Sequence, residues 1–202
     1  YKIILSINNL DKHFYIQKNF DNFIYNLLAT ITVMHIYIDV FKLNKNQFLK
    51  IKTTQGRGDI TKLNINKKNI FLVDESYNSN PLSLNSALNN FNQIQVDKNK
   101  KHIILGDMLE LGKYSKKLHL ALSKTINKIS INKVNIIGNH IRETFKKIHK
   151  NKKGEIFNND SELNSFVNKN LNEGDYLMVK GSNSTGLFNF TTKLKKRKIN
   201  AL

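Results

Sequence analysis

Apolar residues in this 202-residue chain gather into short unbroken runs, and between the runs they recur at helical spacing. "KIILSI" (2–7) reads as a strand, and the long apolar stretch over 22–40 reads as a helix. "NKNQFLKIK" (44–52) reads as a short second helix. "TQGRGDITKL" is the first glycine-bearing break, and it sets a domain boundary after residue 53. Beyond it the rhythm becomes regular. "NIFLVD" (69–74), "KHIILGD" (101–107), "KVNIIG" (133–138), "EIFN" (155–158) and "DYLMVKG" (175–181) are strand-like. Helical stretches follow them at 81–92, 115–129, 139–149, 161–171 and about 184–197. Short continuous apolar runs suit strands buried on both faces, and their alternation with helices suits βαβ units with right-handed crossovers. The predicted fold class is therefore α/β. It comprises a Rossmann-like, open, mostly parallel sheet over 54–202, preceded by a separate piece over 1–53.

The only proline, Pro81, sits in "DESYNSNPLSLNSAL" (74–88), straight after a strand and two carboxylates. Asn80 is a good N-cap, and Pro81 suits the first helical position, where its missing N–H is not needed. The stretch is thus a loop from the carboxyl end of a strand to a helix start. In open α/β sheets ligands bind at that edge, and a helix start offers free N–H groups and partial positive charge. "GDMLELG" (106–112) and "KGSNSTG" (180–186) should open on the same edge if their strands are parallel. Three converging polar loops mark a candidate site.

Asp74 and Glu75 are neighbours at a strand end, so they should point to opposite sides, and at most one should face a ligand. A carboxylate there suits ribose hydroxyls, a metal ion or an amine. Asp107 and Glu110 read as well as a loop cap and a structural acceptor. Arg57 lies between Gly56 and Gly58. It is either a guanidinium brought close to a phosphate or a plain linker residue. Lys180 and Ser182 either hold an anionic group at a helix start or serve as turn and cap.

Composition changes this picture little. There are 33 Lys and Arg against 15 Asp and Glu, a net charge of +18, which raises the possibility of a nucleic-acid or anionic-membrane binder. The lysines are spread through every segment except for "KLKKRK" near the end, which reads as a solvated helix end. Lys, Asn and Ile are abundant while Pro and Trp are scarce, so a compositional origin is favoured and no nucleic-acid partner is expected. There is no cysteine, and the six histidines fit no zinc-site spacing, so no metal ligands are expected here. The apolar stretch 23–41 carries Asn26, His35 and Asp39, which argues against a membrane span and for a buried helix of a soluble protein. The G-x-x-x-x-G-K-[ST], G-x-G-x-x-G and G-x-S-x-G patterns are absent. The chain opens without Met on a strand-like run, as a piece cut from something longer would.

The order "GRG", "LVDESYNSNPLSLNSAL", "LGDMLELG", His119 nine residues past Glu110, then "VKGSNSTGL" resembles the C-terminal half of the Mur ligases, from about residue 20 to the end. "SYN-x-NP" paired with "GDM-x-ELG" is similar to the family member that adds the last dipeptide to the peptidoglycan precursor. The resemblance implies that 1–53 is the tail of a central ATP-binding domain and 54–202 the C-terminal Rossmann-like domain. The phosphate loop and the magnesium ligands would lie upstream. It implies ATP-dependent amide formation with ATP and Mg, joining D-Ala-D-Ala to UDP-N-acetylmuramoyl-tripeptide through an acyl phosphate. The enzyme would be a cytoplasmic monomer, and this stretch alone would be inactive.

By the same resemblance Asn26, in "NLLAT", corresponds to an adenine-contacting Asn. Arg57 corresponds to the Arg that reaches the ATP phosphates, which makes it the catalytic candidate. Glu75, with Asp74 beside it, corresponds to the acid that binds the ribose. Asn78 and Asn80 belong to the loop that closes over the nucleotide, and Lys180 and Ser182 to the loop near the incoming dipeptide. The chain departs from the family just before Asn26, where Phe20 and Asn22 stand in place of the usual Gly and His. The alternatives are a non-catalytic nucleotide-binding Rossmann-like module, another Mur or folylpolyglutamate-type ligase, and a basic nucleic-acid-binding domain.

Overall fold

The computed structural model describes residues 1–17, 21–51, 54–96 and 100–197. The chain divides into two compact units, Tyr1–Lys52 and Thr53–Leu202.

In the first unit β1 (Lys2–Ile7) and β2 (Leu10–Tyr15) form an antiparallel hairpin. Its two-residue turn, Asn8 and Asn9, has φ of 50° and 66°, the left-handed pair that tight hairpins need and asparagine tolerates. α1 (Asp21–Tyr37) buries Leu27 and Ile31 in a cluster with Leu5, Phe14, Ile16, Val40 and Phe48. "LDKHFY" gives β2 no apolar run, so the sequence reading passes over it. The helix expected over 44–52 is instead a series of turns in the described residues. The Asn44 side chain accepts the Asn46 N–H at 2.9 Å, and the backbone closes i→i+3 bonds from Gln47, Leu49 and Ile51. Asparagine here competes with the helix for its own backbone. Among the described residues no helix is long and apolar enough to cross a membrane.

In the second unit the described residues form a sheet of six strands. They are β3 (Asp59–Ile65), β4 (Lys68–Asp74), β5 (Lys101–Leu105), β6 (Lys133–Ile137), β7 (Lys153–Phe157) and β8 (Tyr176–Lys180), in the order β3-β4-β8-β5-β6-β7. β4, β8, β5, β6 and β7 are mutually parallel, as the alternating pattern predicts. β3 pairs antiparallel with β4 through a tight turn at Asn66 and Lys67. Its sequence, "DITKLNI", buries only Leu63 and Ile65 and leaves Ile60 exposed, as an edge strand with one wet face can, and the glycines before it give the stretch the look of a break.

α2 (Pro81–Gln93) and α3 (Ser115–Lys128) cover one face. Leu84, Leu88 and Phe91 of α2 and Leu122 and Ile126 of α3 cluster with Ile103, Leu105, Val134 and Met178. α5 (Asp160–Asn170) and α6 (Leu187–Arg197) cover the other. Phe166 and Val167 of α5 and Phe190 and Leu194 of α6 cluster with Leu72, Ile104 and Leu177. The short α4 (Arg142–Lys147) follows β6.

Several lysines are absorbed by this fold. Lys101 Nζ reaches the Phe91 and Asn92 carbonyls at the end of α2, at 3.3 and 2.8 Å. Lys152 takes the Ile126, Asn127 and Ile129 carbonyls at the end of α3. Lys68 takes the Leu171 carbonyl at the end of α5, at 3.0 Å. Each cation satisfies carbonyls that a helix end leaves without a partner, at the negative end of its dipole. Burial pushes the Lys101 and Lys152 ammonium groups below the usual lysine range.

Candidate functional site

Because β4, β8 and β5 are neighbours and parallel, the loops leaving their carboxyl ends lie side by side. These are the loops 74–80, 180–186 and 106–112. They enclose a cavity of about 520 Å³ lined by 77–80, 109–111 and 182–184.

Two side chains from β8 and its loop stitch the three together. Lys180, 2 % exposed, donates to the carbonyls of Asn78 at 2.9 Å and Glu75 at 3.4 Å, with the Glu75 carboxylate at 3.8 Å. Burial pushes its ammonium below the usual lysine range and nearby Arg57 adds to this, while Glu75 opposes it. Ser182 Oγ donates to the Ser79 carbonyl at 3.2 Å and accepts the Leu109 N–H at 2.9 Å. Both residues therefore shape the cavity through the loops. Ser182 precedes a 3-10 turn (Asn183–Thr185), but its side chain does not cap it.

Asn80 caps α2: its side chain accepts the Ser83 N–H at 2.8 Å, and Ser83 Oγ accepts the Asn80 N–H at 3.1 Å. Pro81 stands at the first helical position. The Asn78 side chain accepts the Ser79 N–H at 2.8 Å. Both asparagines are exposed at the edge.

Asp74 and Glu75 part company. Asp74 is fully buried. Its Oδ1 accepts from Ser76, and its Oδ2 from Lys195 of α6 at 2.5 Å. Lys195 also binds Asp59 at 2.5 Å. Asp59 and Asp74 are directly opposite in the β3–β4 register, so this lysine sits between two facing carboxylates. Glu75 instead stands half-buried at the edge, beside Gly58, where a Cβ would approach its Oε1 to 2.9 Å.

Arg57 is exposed, and its guanidinium lies over the ring of Tyr77, 4.6 Å from the centroid. The turn that carries it is tied to the 74–80 loop. The Gly58 N–H donates to the Asp74 carbonyl at 2.8 Å and the Tyr77 N–H to the Gly56 carbonyl at 3.1 Å.

The 106–112 loop is held from behind. Asp107 accepts the N–H groups of Asn139 at 3.0 Å and Ile141 at 2.7 Å. His119 Nε2 accepts the Met108 N–H at 3.0 Å, and its Nδ1 faces the Ser115 carbonyl at 2.8 Å. That pairing fixes a neutral Nδ1–H ring, and burial pushes its pKa below the ordinary histidine value. Asp107 and His119 thus act as structural acceptors. Glu110 adopts φ of 63° on the cavity rim.

Asn26 lies in the first unit, on an exposed position of α1, and its carbonyl accepts the Thr30 hydroxyl at 2.8 Å. Phe20 and the side chain of Asn22 lie outside the described residues. Sequence reasoning passed over Tyr77 and Lys195. "KLKKRK" reads as a solvated end, yet the Lys195 side chain is 16 % exposed, because it reaches the carboxylates at the start of β3 and the end of β4. No spacing in the sequence links residues 59, 74 and 195.

The model of the family described as "Mur ligase, glutamate ligase domain" matches residues 57–183, from the Gly-Arg-Gly turn to the 180–186 loop. The chain belongs to the Mur ligase family. It is 27 % identical over 173 residues to the UDP-N-acetylmuramoyl-tripeptide–D-alanyl-D-alanine ligase of Rickettsia prowazekii (strain Madrid E), covering 86 % of this chain and 36 % of that protein. It is 35 % identical over 120 residues to the ligase of the same name from Buchnera aphidicola subsp. Acyrthosiphon pisum (strain APS), covering 58 % of this chain and 25 % of that protein. The Mur ligase chain described here therefore spans about a third of the length of such relatives, or less. Among solved structures, the MurF ligase of Thermotoga maritima in complex with ADP superposes with a TM-score of 0.71 at 16 % identity, over 98 % of this chain and 47 % of that one. A MurF of Acinetobacter baumannii gives 0.77 at 17 %, over 96 % and 42 %. These likenesses show the shared α/β fold.

Proposed function

We propose that the chain is the C-terminal part of an ATP-dependent amide ligase that joins D-Ala-D-Ala to UDP-N-acetylmuramoyl-tripeptide in peptidoglycan precursor synthesis. The observation that carries this reading is the braced three-loop cavity, with Arg57 stacked on its lining residue Tyr77 and Glu75 beside Lys180, in a Mur ligase whose relatives bear that name. The edge fits a nucleoside triphosphate: an exposed guanidinium for phosphate, a half-buried carboxylate for ribose hydroxyls, and a capped helix start beside them. Among the described residues no three His, Cys, Asp or Glu cluster to hold a metal ion.

In this reading the tripeptide carboxylate attacks the γ-phosphorus of ATP, giving an acyl phosphate and ADP. The amine of D-Ala-D-Ala then attacks the acyl carbon, loses a proton, and phosphate departs. Arg57 carries charge on the transferring phosphoryl group, and Glu75 accepts from the ribose. Asp74, consumed by Lys195 and Ser76, steadies Glu75 from within. Asn78 and Asn80 line the nucleotide edge. Lys180 and Ser182 keep the cavity open for the dipeptide. The first unit is the tail of the ATP-binding domain, and Asn26 corresponds to the family's adenine-contacting Asn. The chemistry asks mainly for positioning and charge stabilisation. With ATP and a UDP-linked substrate, the reaction belongs in the cytoplasm, and the enzyme is taken as a monomer.

The test is phosphate release by the full-length protein that carries this chain. Release should require both the UDP-tripeptide and D-Ala-D-Ala, and residues 1–202 alone should give none. Full-length protein that hydrolyses ATP without regard to D-Ala-D-Ala would overturn the reading.

A further inference from the structure

We propose that Tyr77 is a positioning residue whose ring is the shelf that presets the Arg57 guanidinium at the nucleotide edge. The inference rests on the role given to Arg57 above. The guanidinium lies over the ring face at 4.6 Å, inside the range of about 6 Å over which a ring quadrupole attracts a cation. The ring is itself fixed. It stands edge-on to Phe188 of α6, with centroids 5.7 Å apart and planes at 90°.

The Arg57 backbone is held just as firmly. Its N–H donates to the Thr54 carbonyl at 3.2 Å, and the Gly56 N–H donates to the Asp59 carboxylate at 2.8 Å. Gly56 has φ of 77°, and a Cβ there would come within 3.0 Å of both Tyr77 and Phe188. Turn, ring and helix therefore form one packed unit. The Arg57 side chain projects from it, exposed, beside a Tyr77 that is itself 40 % exposed.

A long exposed side chain loses rotamer freedom when it docks on a phosphoryl group. Stacking beforehand removes part of that loss and presets the donor geometry that the transition state needs. The face of the ring does this, so Phe should substitute for Tyr. Leu keeps apolar bulk but has no quadrupole.

The experiment uses the full-length ligase with Tyr77→Phe, Tyr77→Leu, Arg57→Ala and the Tyr77→Leu/Arg57→Ala pair. Tyr77→Phe should stay within about twofold of wild type. Tyr77→Leu should lower kcat about two- to fivefold with the KM for ATP little changed, the size of a lost exposed cation–π contact. The pair should be no slower than Arg57→Ala, because Tyr77 acts through Arg57. Alongside, the Arg57 Nε–Hε NMR signal should be ring-shifted and ordered in wild type and Tyr77→Phe, and should move toward the free-arginine position in Tyr77→Leu. The shelf is overturned if Tyr77→Leu slows Arg57→Ala as much as it slows wild type, if Phe fails as badly as Leu, or if the wild-type Arg57 signal is already that of a free side chain. Should Arg57→Ala turn over normally while the Arg57 signal of the wild-type protein is shifted by Tyr77, the shelf stands and the catalytic role of Arg57 falls.

Discussion

Lys180 Nζ lies 2.9 Å from the carbonyl oxygen of Asn78, 102 residues earlier in the chain. This buried cation bonds two carbonyls of one loop from the strand beside it, so the first casualty of its loss is loop shape. Lys180→Met keeps the stem and removes the donors. It should cost roughly 1–3 kcal/mol, because the Asn78 and Glu75 carbonyls are left without their partner. The urea midpoint of residues 1–202 should fall with an unchanged slope, and, on the proposed function, the full-length protein should lose affinity for D-Ala-D-Ala. An unchanged midpoint would show that water replaces the ammonium freely.

Lys195 poses the converse problem, since it separates two carboxylates. Lys195→Met leaves Asp59 and Asp74 facing one another, one of them fully buried. The expected loss is about 2–4 kcal/mol, somewhat below the usual range for breaking a buried pair because Asp59 is partly exposed. Adding Asp59→Asn should restore much of it by removing the repulsion. If the double variant is as unstable as the single, the loss is one of packing and the charge argument fails.

His102 makes stability depend on pH. It is 6 % exposed, neither ring nitrogen makes a hydrogen bond, and Asp175 stands 3.5 Å away with its oxygens accepting the N–H groups of Lys100 and Asn172. Burial pushes its pKa below the ordinary histidine value; Asp175 opposes this, while Lys100 and Lys133 reinforce it. His119 shifts in the same direction, chiefly by burial. Between the folded and unfolded pKa the unfolded chain binds more protons. The stabilisation is therefore full above about pH 6.5 and is lost as pH falls through and below that value. Urea midpoints should drop from about pH 7 to about pH 5, and His102→Phe should flatten part of the slope. A midpoint that rises on acidification would mean that the Asp175 ion pair dominates.

Ser79 offers a cleaner contrast. Its hydroxyl is buried and has no hydrogen-bond partner, whereas its N–H and carbonyl are both engaged. Ser79→Ala removes only the orphaned group, so stability should hold or rise by about 1 kcal/mol. Thermal melts of residues 1–202 decide it. A clear loss would mean that the hydroxyl bonds an ordered water.

Local pattern carried the reading as far as local physics reaches. Buried parallel strands are continuous apolar runs, so "KHIIL" and "YLMVK" could be read directly, and the Asn80–Pro81 pair announced α2 by capping chemistry alone. β3 escaped because an edge strand with one wet face, starting behind two glycines, has the composition of a loop. Convergence of the three loops followed from parallel strands. What fills the space between them did not. The partners of Asp74 and Arg57 depend on where α6 lies and on how a loop folds back, and neither leaves a mark in spacing. The lysines misled in the same way. Whether a lysine is surface charge or a helix-end ligand is decided by the carbonyl it meets.

Arg57 carries the most direct test of the catalytic reading. On the proposed function, a guanidinium on the transferring phosphoryl group acts mainly in the transition state. Arg57→Ala should therefore lower kcat more than it raises KM. Loss of one charged donor of this kind is worth roughly 3–4 kcal/mol, about two to three orders of magnitude in rate. Arg57→Lys should recover only part, since an ammonium lacks the planar fork that meets phosphate and stacks on Tyr77. The fold should scarcely notice. Arg57 is exposed, and its stacking contributes about 0.5–1 kcal/mol, so the melting temperature should move by only a few degrees. Steady-state kinetics of the three proteins, with melts as the control, separate the outcomes. Near wild-type turnover in Arg57→Ala would reduce this residue to a decorated turn and move the search for the phosphate ligand to other basic residues.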